Sequence, residues 1–128
     1  MPSSDEVGQA RTKWRQLKDA CAKAGAPKDL FGSDDLGPEL DKMQAAVAIV
    51  EKGSKVTQDE RGKKALEKAR TDGRAAADKV SRITTKYRER ADQALQKAMA
   101  PALKTALRDA VAGLTRCQTI ASGTAKML

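Results

Sequence analysis

The side chains that most often carry out catalysis near neutral pH are scarce in this sequence. The chain has no histidine, and histidine is the usual general base near neutral pH and the commonest metal ligand. It also has no glycine-rich phosphate loop and no nucleophile motif around a serine or cysteine. These features predict a protein that is not an enzyme, and they give no reason to expect a cofactor or a small-molecule substrate.

The two cysteines, Cys21 and Cys117, are the only thiols. They are far apart and each occupies an apolar position in a helical pattern, which is neither a disulfide framework nor a metal-binding spacing. Free cysteine is among the most often buried residue types. We therefore expect both side chains in the core, with a bridge between their two helices as the alternative.

The densest group of carboxylates comprises Asp34, Asp35, Glu39 and Asp41. Carboxylate oxygens suit a hard cation, but this spacing does not match a calcium-binding loop. Acidic residues are favoured near the start of a helix, where the helix dipole is positive. We therefore interpret the group as belonging to a helix start and predict no metal site.

The net charge of +8 is unevenly distributed along the chain. Residues 1–60 carry 9 basic and 11 acidic side chains (−2), residues 61–97 carry 12 and 5 (+7), and residues 98–128 carry 4 and 1 (+3). Attraction between the two halves is one explanation, although exposed ion pairs contribute only about 0–1 kcal/mol each. The other explanation is a basic surface that recruits an acidic partner.

Six basic residues lie close together along one predicted helix and are the candidate partner-binding residues: Arg70, Arg74, Arg82, Lys86, Arg88 and Arg90. Such a row could follow the phosphates of a nucleic acid, with counterion release driving binding. Acidic residues interrupt the row, however, and no aromatic side chains are interleaved with it to stack on bases. Sequence-nonspecific nucleic-acid binding is therefore the alternative to protein binding.

Helical periodicity predicts the elements that carry these residues, and no segment has a strand pattern. A first helix over about 4–24 begins at Ser3 and Glu6, whose spacing is that of a capping box. Gly25 and Pro27 end it, because glycine tolerates the left-handed turn and proline cannot continue the helix. Its apolar stripe has spacings of three and four: Val7, Ala10, Trp14, Leu17, Cys21 and Ala24.

The segment over 25–37 is predicted to be a loop. Within it, Leu30 and Phe31 are expected to fold back onto the core as an apolar plug. A second helix follows over about 38–52, and Gly53 is expected to end it. The first two helices should then be antiparallel neighbours.

The longest predicted helix spans about 57–99 and holds most of the surplus positive charge. Thr57 and Glu60 repeat the capping arrangement at its start. Its seam recurs every seven residues and is made largely of small side chains: Leu66, Gly73, Val80 and Tyr87, with Ala69, Ala76 and Ile83 three residues further on. The triplet Thr71-Asp72-Gly73 is also typical of a turn, so a split at this point is the alternative.

Pro101 predicts a kink or a tight break before a last helix over about 101–122, whose end should fray at Ser122, Gly123 and Thr124. The sequence thus predicts an all-α, antiparallel bundle of four to five helices in one domain over 1–128. Its alanine-rich core buries little area per residue at roughly 25 cal/mol per Å². Self-association or a partner would therefore add stability.

Together these patterns predict a non-enzymatic helical protein–protein interaction module, such as an adaptor, a chaperone or a secretion-associated component. It would bind another protein or itself through the long basic helix and the helix after it. No apolar run is long enough to cross a membrane, and the alanine-rich last helix is a poor membrane-surface anchor. The polar, acidic start lacks the features of a secretion signal. We therefore expect a cytoplasmic protein, with leaderless export as a compatible route.

Overall fold

Four helices pack against one another in the computed structural model of the chain, which describes residues 3–31, 36–56 and 60–128. They are α1 (Ser4–Lys23), α2 (Leu36–Val56), α3 (Glu60–Lys97) and α4 (Pro101–Met127). No strand occurs in the three described ranges. The predicted all-α class is confirmed, and the number of helices is four.

Each helix packs against two others: α1 and α3 both contact α2 and α4. Neighbouring helices are antiparallel, because contacts between them join early residues of one to late residues of the other. Between α1 and α2, the Ser4 amide donates a hydrogen bond to Glu51 Oε1 at 2.9 Å. Later in α1 and earlier in α2, Arg11 Nε lies 3.2 Å from Asp41 Oδ1. The same reversal holds for α2 with α3, α3 with α4, and α1 with α4.

Side chains and backbone close both ends of α1. At the start, Ser3 Oγ accepts a hydrogen bond from the Glu6 amide at 3.2 Å, which satisfies one of the free donors of the first turn. At the end, Gly25 has a φ of 97°, and the Ala26 amide donates to the Cys21 carbonyl at 3.0 Å. This is a Schellman ending, in which glycine takes the left-handed position.

All three aromatic residues meet in one cluster near the α1–α2 loop. The Phe31 ring lies 5.0 Å from the Trp14 ring, edge to face, and 5.3 Å from the Tyr87 ring. Trp14 and Tyr87 are stacked at 5.8 Å. All three are at most 8% exposed, and aromatic pairs at these distances add about 0.5–1.5 kcal/mol beyond their buried area. Phe31 is therefore the plug that the sequence predicts, whereas Leu30 is half-buried.

The buried side of α3 is wider than the predicted seam. Five of the seven predicted seam residues are buried, while Leu66 and Ile83 are half-buried. A further row with the same spacing is also buried: Ala77, Thr84 and Ala91. Thr84 fits the core because its hydroxyl donates to the Ser81 carbonyl at 2.9 Å. The second row exists because α3 packs against two helices, α2 on one side and α4 on the other.

The helix runs without interruption through Gly73, so the alternative of a turn at Thr71-Asp72-Gly73 is wrong. Gly73 is buried where α3 meets both neighbours. A Cβ atom placed on it would lie 2.8 Å from Ala46 Cβ and would also overlap the Leu128 side chain. Glycine is present here because the helices approach closely, and not because the chain turns.

Two predicted helix ends are wrong. The second helix continues past Gly53 to Val56, because a single helical glycine costs only about 1 kcal/mol. The last helix continues through Ser122-Gly123-Thr124 to Met127. Thr124 is fully buried there. Tertiary packing therefore keeps this segment helical although its residues have low helix propensity.

The long helix ends at Lys97, and residues 98–100 separate it from α4. Pro101 is the first residue of α4, a position where its missing amide costs nothing. Of the two predicted alternatives, a kink and a tight break, the structure has the break. Thr57, the predicted cap of the long helix, lies outside the described residues.

We expect Gly73→Ala to destabilise the protein although alanine is the better helix former. The gain of about 1 kcal/mol in helix propensity is outweighed by overlap with Ala46 and Leu128, since overpacking costs about 1–3 kcal/mol. The free energy of unfolding, measured by urea denaturation, should fall by up to about 2 kcal/mol. Thr71→Ala, at an exposed position of the same helix, should change it by less than about 0.5 kcal/mol. A more stable Gly73→Ala protein would contradict the close approach.

Candidate interaction surface on the long helix

The described carboxylates of the predicted acidic group are held in ion pairs. Glu39 Oε1 lies 3.9 Å from Lys79 Nζ, and Asp41 Oδ1 lies 3.2 Å from Arg11 Nε. Two members of the group lie outside the described residues: Asp34 and Asp35. Among the residues that the structure describes, no three histidine, cysteine, aspartate or glutamate side chains converge as metal ligands would.

Both thiols are buried and unbridged. Cys21 Sγ lies 3.5 Å from the Ala106 carbonyl, and Cys117 is 11 residues further along α4, which corresponds to about 16 Å. The alternative of a bridge is therefore wrong. Burial raises the pKa of Cys21, assisted by the charge of Asp109. Burial also raises the pKa of Cys117 to about 11 against the opposing effect of Arg116, so neither thiol is a ready nucleophile.

Two of the six predicted partner-binding residues are held by α4. The Arg74 guanidinium donates to the main-chain oxygen of Leu128. Arg88 Nη1 donates to Gln118 Oε1 at 2.8 Å, and Arg88 is half-buried. These two side chains therefore fasten α3 to α4 within the chain.

The other four predicted residues do not share one face. Arg90 is half-buried, with its guanidinium carbon 6.0 Å from the centre of the Tyr87 ring, within the range of a cation–π contact. Arg70, Arg82 and Lys86 are exposed. Because each residue turns an α-helix by about 100°, Arg70 lies about a third of a turn away from Arg82. The predicted set thus divides between the two flanks and the outward side of α3.

A different set of basic residues does share one line along α3. Residues three and four positions apart lie above one another on a helix, and seven exposed basic side chains follow this spacing on the solvent-facing side of α3 that borders α2. We call this line the outer stripe: Arg61, Lys64, Lys68, Lys79, Arg82, Lys86 and Lys97. Only Arg82 and Lys86 belong to the predicted set.

Acidic residues interrupt the basic run in sequence but mostly lie beside the outer stripe on the helix. Four exposed acidic side chains are displaced from the centre of the stripe by about 55–115°, a quarter of a turn on average, and we call them the acidic edge: Glu67, Asp78, Glu89 and Asp92. Asp78 Oδ2 lies 2.5 Å from Arg82 Nη2. Asp72 is the acidic residue nearest to the line of the stripe.

A groove of about 500 Å³ runs between α2 and α3 next to the outer stripe. Its apolar walls are small except for one isoleucine: Ala45, Ala46 and Ile49 from α2, and Ala69, Ala75 and Ala76 from α3. Glu39, Lys42, Asp72 and Lys79 complete the lining. Ile49 is 46% exposed and is one of two exposed large hydrophobic residues in the described part of the chain, the other being Met99.

None of the described helices combines the length and the apolar composition that a membrane span requires. No protein-family model matches the chain, and no curated protein or solved structure is significantly similar to it.

Sequence reasoning missed five members of the outer stripe because it grouped basic residues by their closeness in sequence. The available signal was helical phase. When the basic residues of α3 are placed at 100° per residue, those of the outer stripe fall together, and the arginines at positions 70, 74 and 88 fall on the flank that faces α4.

The raised pKa of Cys117 predicts a loss of stability in alkali. The folded protein keeps the thiol proton up to about pH 11, whereas the unfolded chain releases it near pH 9. Stability is therefore complete below pH 9 and falls as the pH rises through this interval. The free energy of unfolding of the wild type should fall by up to about 2 kcal/mol more than that of Cys117→Ala, as measured by urea denaturation across this pH range. Equal losses in the two proteins would contradict the assignment.

Proposed function

We propose that this protein is a non-enzymatic helical interaction module that binds an acidic partner protein through the outward surface of α3. That surface consists of the outer stripe and the adjacent α2–α3 groove. The observation that carries the proposal is charge segregation: seven exposed cations lie on one line, and the acidic edge lies about a quarter of a turn away. Such a module suits an adaptor, a chaperone or a secretion-associated component.

Intramolecular ion pairs do not account for the charge of this surface. Lys79 is paired with Glu39 and Arg82 with Asp78, and three of these four side chains are more than half exposed. Exposed pairs contribute only about 0–1 kcal/mol each. The residues of 61–97 still carry a net charge of +7, which would steer an acidic protein toward α3 and speed its association.

A partner can reach the outward surface of α3 but not its seam, because the seam is covered by α2 and α4. Val80 and Gly73 are buried against α2 and α4 of the same chain. Self-association or partner binding through the seam would have to displace one of those helices. In this proposal the partner therefore binds the exposed side of α3.

Nucleic acid is the second candidate, and the length of the outer stripe favours it. The stripe runs from Arg61 to Lys97, about 54 Å along the helix, and its cations could contact successive phosphates. Two observations favour a protein instead. The acidic edge runs beside the stripe and would repel a polyanion, and the three aromatic residues that could stack on bases are all buried.

Photo-crosslinking in living cells tests the proposal. A photoreactive amino acid at Ala75, which is exposed beside the groove, should capture one or a few acidic proteins. Capture should be lost in Lys64→Glu/Lys68→Glu, because a change of four charges turns attraction into repulsion. The matched control, Lys13→Glu/Arg15→Glu, makes the same change at exposed positions of α1 and should still capture them. Capture that is absent from the wild type, or that is equal in both variants, would contradict the proposal.

Salt dependence separates the two candidates. A duplex bound through six or more phosphate contacts should lose about 10³-fold or more in affinity between 50 and 200 mM salt. We expect only weak, nonspecific duplex binding, with a dissociation constant in the range of about 10⁻⁴–10⁻⁶ M at physiological salt. Fluorescence anisotropy with a labelled DNA duplex measures it. A complex of nanomolar affinity at 200 mM salt would favour nucleic acid as the partner.

A further inference from the structure

Six of the seven cations of the outer stripe, all except Lys97, form two groups with identical spacing. The first triad is Arg61, Lys64 and Lys68, and the second triad is Lys79, Arg82 and Lys86. Each residue of the first triad has a basic counterpart 18 positions later. Eighteen residues make five whole turns at 3.6 residues per turn and advance about 27 Å, so the two triads point in the same direction.

The surface between the triads is different in character. The positions of the outer stripe in this interval are Asp72 and Ala75, and both line the α2–α3 groove. Ile49, at 46% exposure, lies on the other wall. Along α3 the surface therefore changes from cationic to apolar and back to cationic, and one carboxylate lies in the apolar interval.

We propose that this surface binds an acidic amphipathic α-helix of a partner protein. The partner helix lies along the α2–α3 groove, packs an apolar side chain beside Ile49 and places carboxylates against both triads. This inference rests on the proposed function and names the class of partner. Charge complementarity supports it, since six cations flank a groove whose walls are mainly alanine.

The spacing of the triads favours a helix over an extended peptide. A helix laid along α3 has the same rise and period as α3. Its carboxylates at i, i+3 and i+7 can therefore face one triad, and the same pattern 18 residues later faces the other triad. An extended chain presents a side chain to one face only about every 6.6 Å, so it sets about two carboxylates against a triad about 10.5 Å long, where a helix sets three. Arg61 and Lys86 are about 38 Å apart along the axis, which a helix of about 25 residues covers.

The groove determines where along α3 the partner helix sits. Alanine walls let the partner backbone approach closely, and Ile49 offers an apolar contact at the midpoint, as in other complexes of a helix in a groove. Asp72 favours a partner helix that has a basic side chain opposite it. It disfavours a helix whose binding face carries only acidic side chains. A second copy of this chain is a poor occupant, because the residues 61–97 of both copies carry a net charge of +7 and would repel.

Selection from a displayed library of random peptides of about 28 residues, long enough to span both triads as a helix, tests the inference on the full-length protein. The selected peptides are then synthesised and their affinities measured by fluorescence anisotropy. We expect peptides with Glu or Asp at helical spacing on both sides of an apolar centre. Their circular dichroism should gain helical signal on binding.

Three variants and one control locate the bound peptide. Removing two charges from either triad, in Lys64→Gln/Lys68→Gln or Arg82→Gln/Lys86→Gln, should weaken binding by about three- to tenfold, as expected for exposed ion pairs. Ile49→Ser should weaken peptide binding to a similar extent and leave duplex binding unchanged. The control Lys13→Gln/Arg15→Gln, on α1, should bind the peptide as the wild type does.

The outcomes separate this inference from the broader proposal. If no peptide is selected, or if the selected peptides are not acidic, or if they bind the three variants as tightly as the control, the helix-in-groove inference is overturned. The proposed function still holds in that case if photo-crosslinking at Ala75 captures an acidic protein. If a DNA duplex binds more tightly than every selected peptide and loses affinity in both triad variants, both statements are overturned in favour of nucleic acid.

Discussion

Close approach between helices is the constraint on which the rest of this structure depends. The chain has few large side chains for a core, and α3 contributes mainly Ala, Gly and Thr to it. Dispersion and burial then require that backbones lie near one another, because small side chains reach only a short distance. Gly73 is the clearest case, since a single added methyl would overlap both Ala46 and Leu128. With both flanks of α3 occupied in this way, its charged side faces outward.

The three aromatic side chains are concentrated in one place. Trp14, Phe31 and Tyr87 form one aromatic cluster, and Phe31 reaches it from the loop that joins α1 to α2. The Schellman ending of α1 at Gly25 directs the chain toward that position. Bulky rings thus fill the core beside the α1–α2 loop, while at Gly73 the missing side chain leaves room for Ala46 and Leu128. The two kinds of packing together hold all four helices with only three aromatic residues.

Local chemistry made much of this fold predictable, and the errors come from contacts that a single sequence does not specify. The cap at Ser3, the ending at Gly25 and the inward position of Phe31 follow from rules that involve only a few neighbouring residues. Gly53 and Ser122-Gly123-Thr124 were expected to end helices because their propensities are low, but the helices continue there. Gly73 was ambiguous for the same reason. Periodicity gives the phase of a helix, but the number of neighbours that cover it decides how wide its buried side becomes.

The same limit applies to the basic residues. Their number and location in α3 were clear from the sequence, whereas their division among flank and outer stripe depends on where α4 lies. Arg74 and Arg88 donate hydrogen bonds to α4, so residues that are close in sequence to Arg82 and Lys86 lie on a different side of α3. The outer stripe could have been found from helical phase, although only the position of α2 reveals the groove beside it.

The burial of the two thiols has a practical consequence. Cys21 and Cys117 occupy separate layers of the bundle and are each about 2% exposed. A thiol-directed label can reach them only when the surrounding helices part, so the rate of labelling at each one measures how often its own layer opens. The chain therefore contains two native reporters of local opening, one on α1 and one on α4, and no engineered probe is needed to follow it.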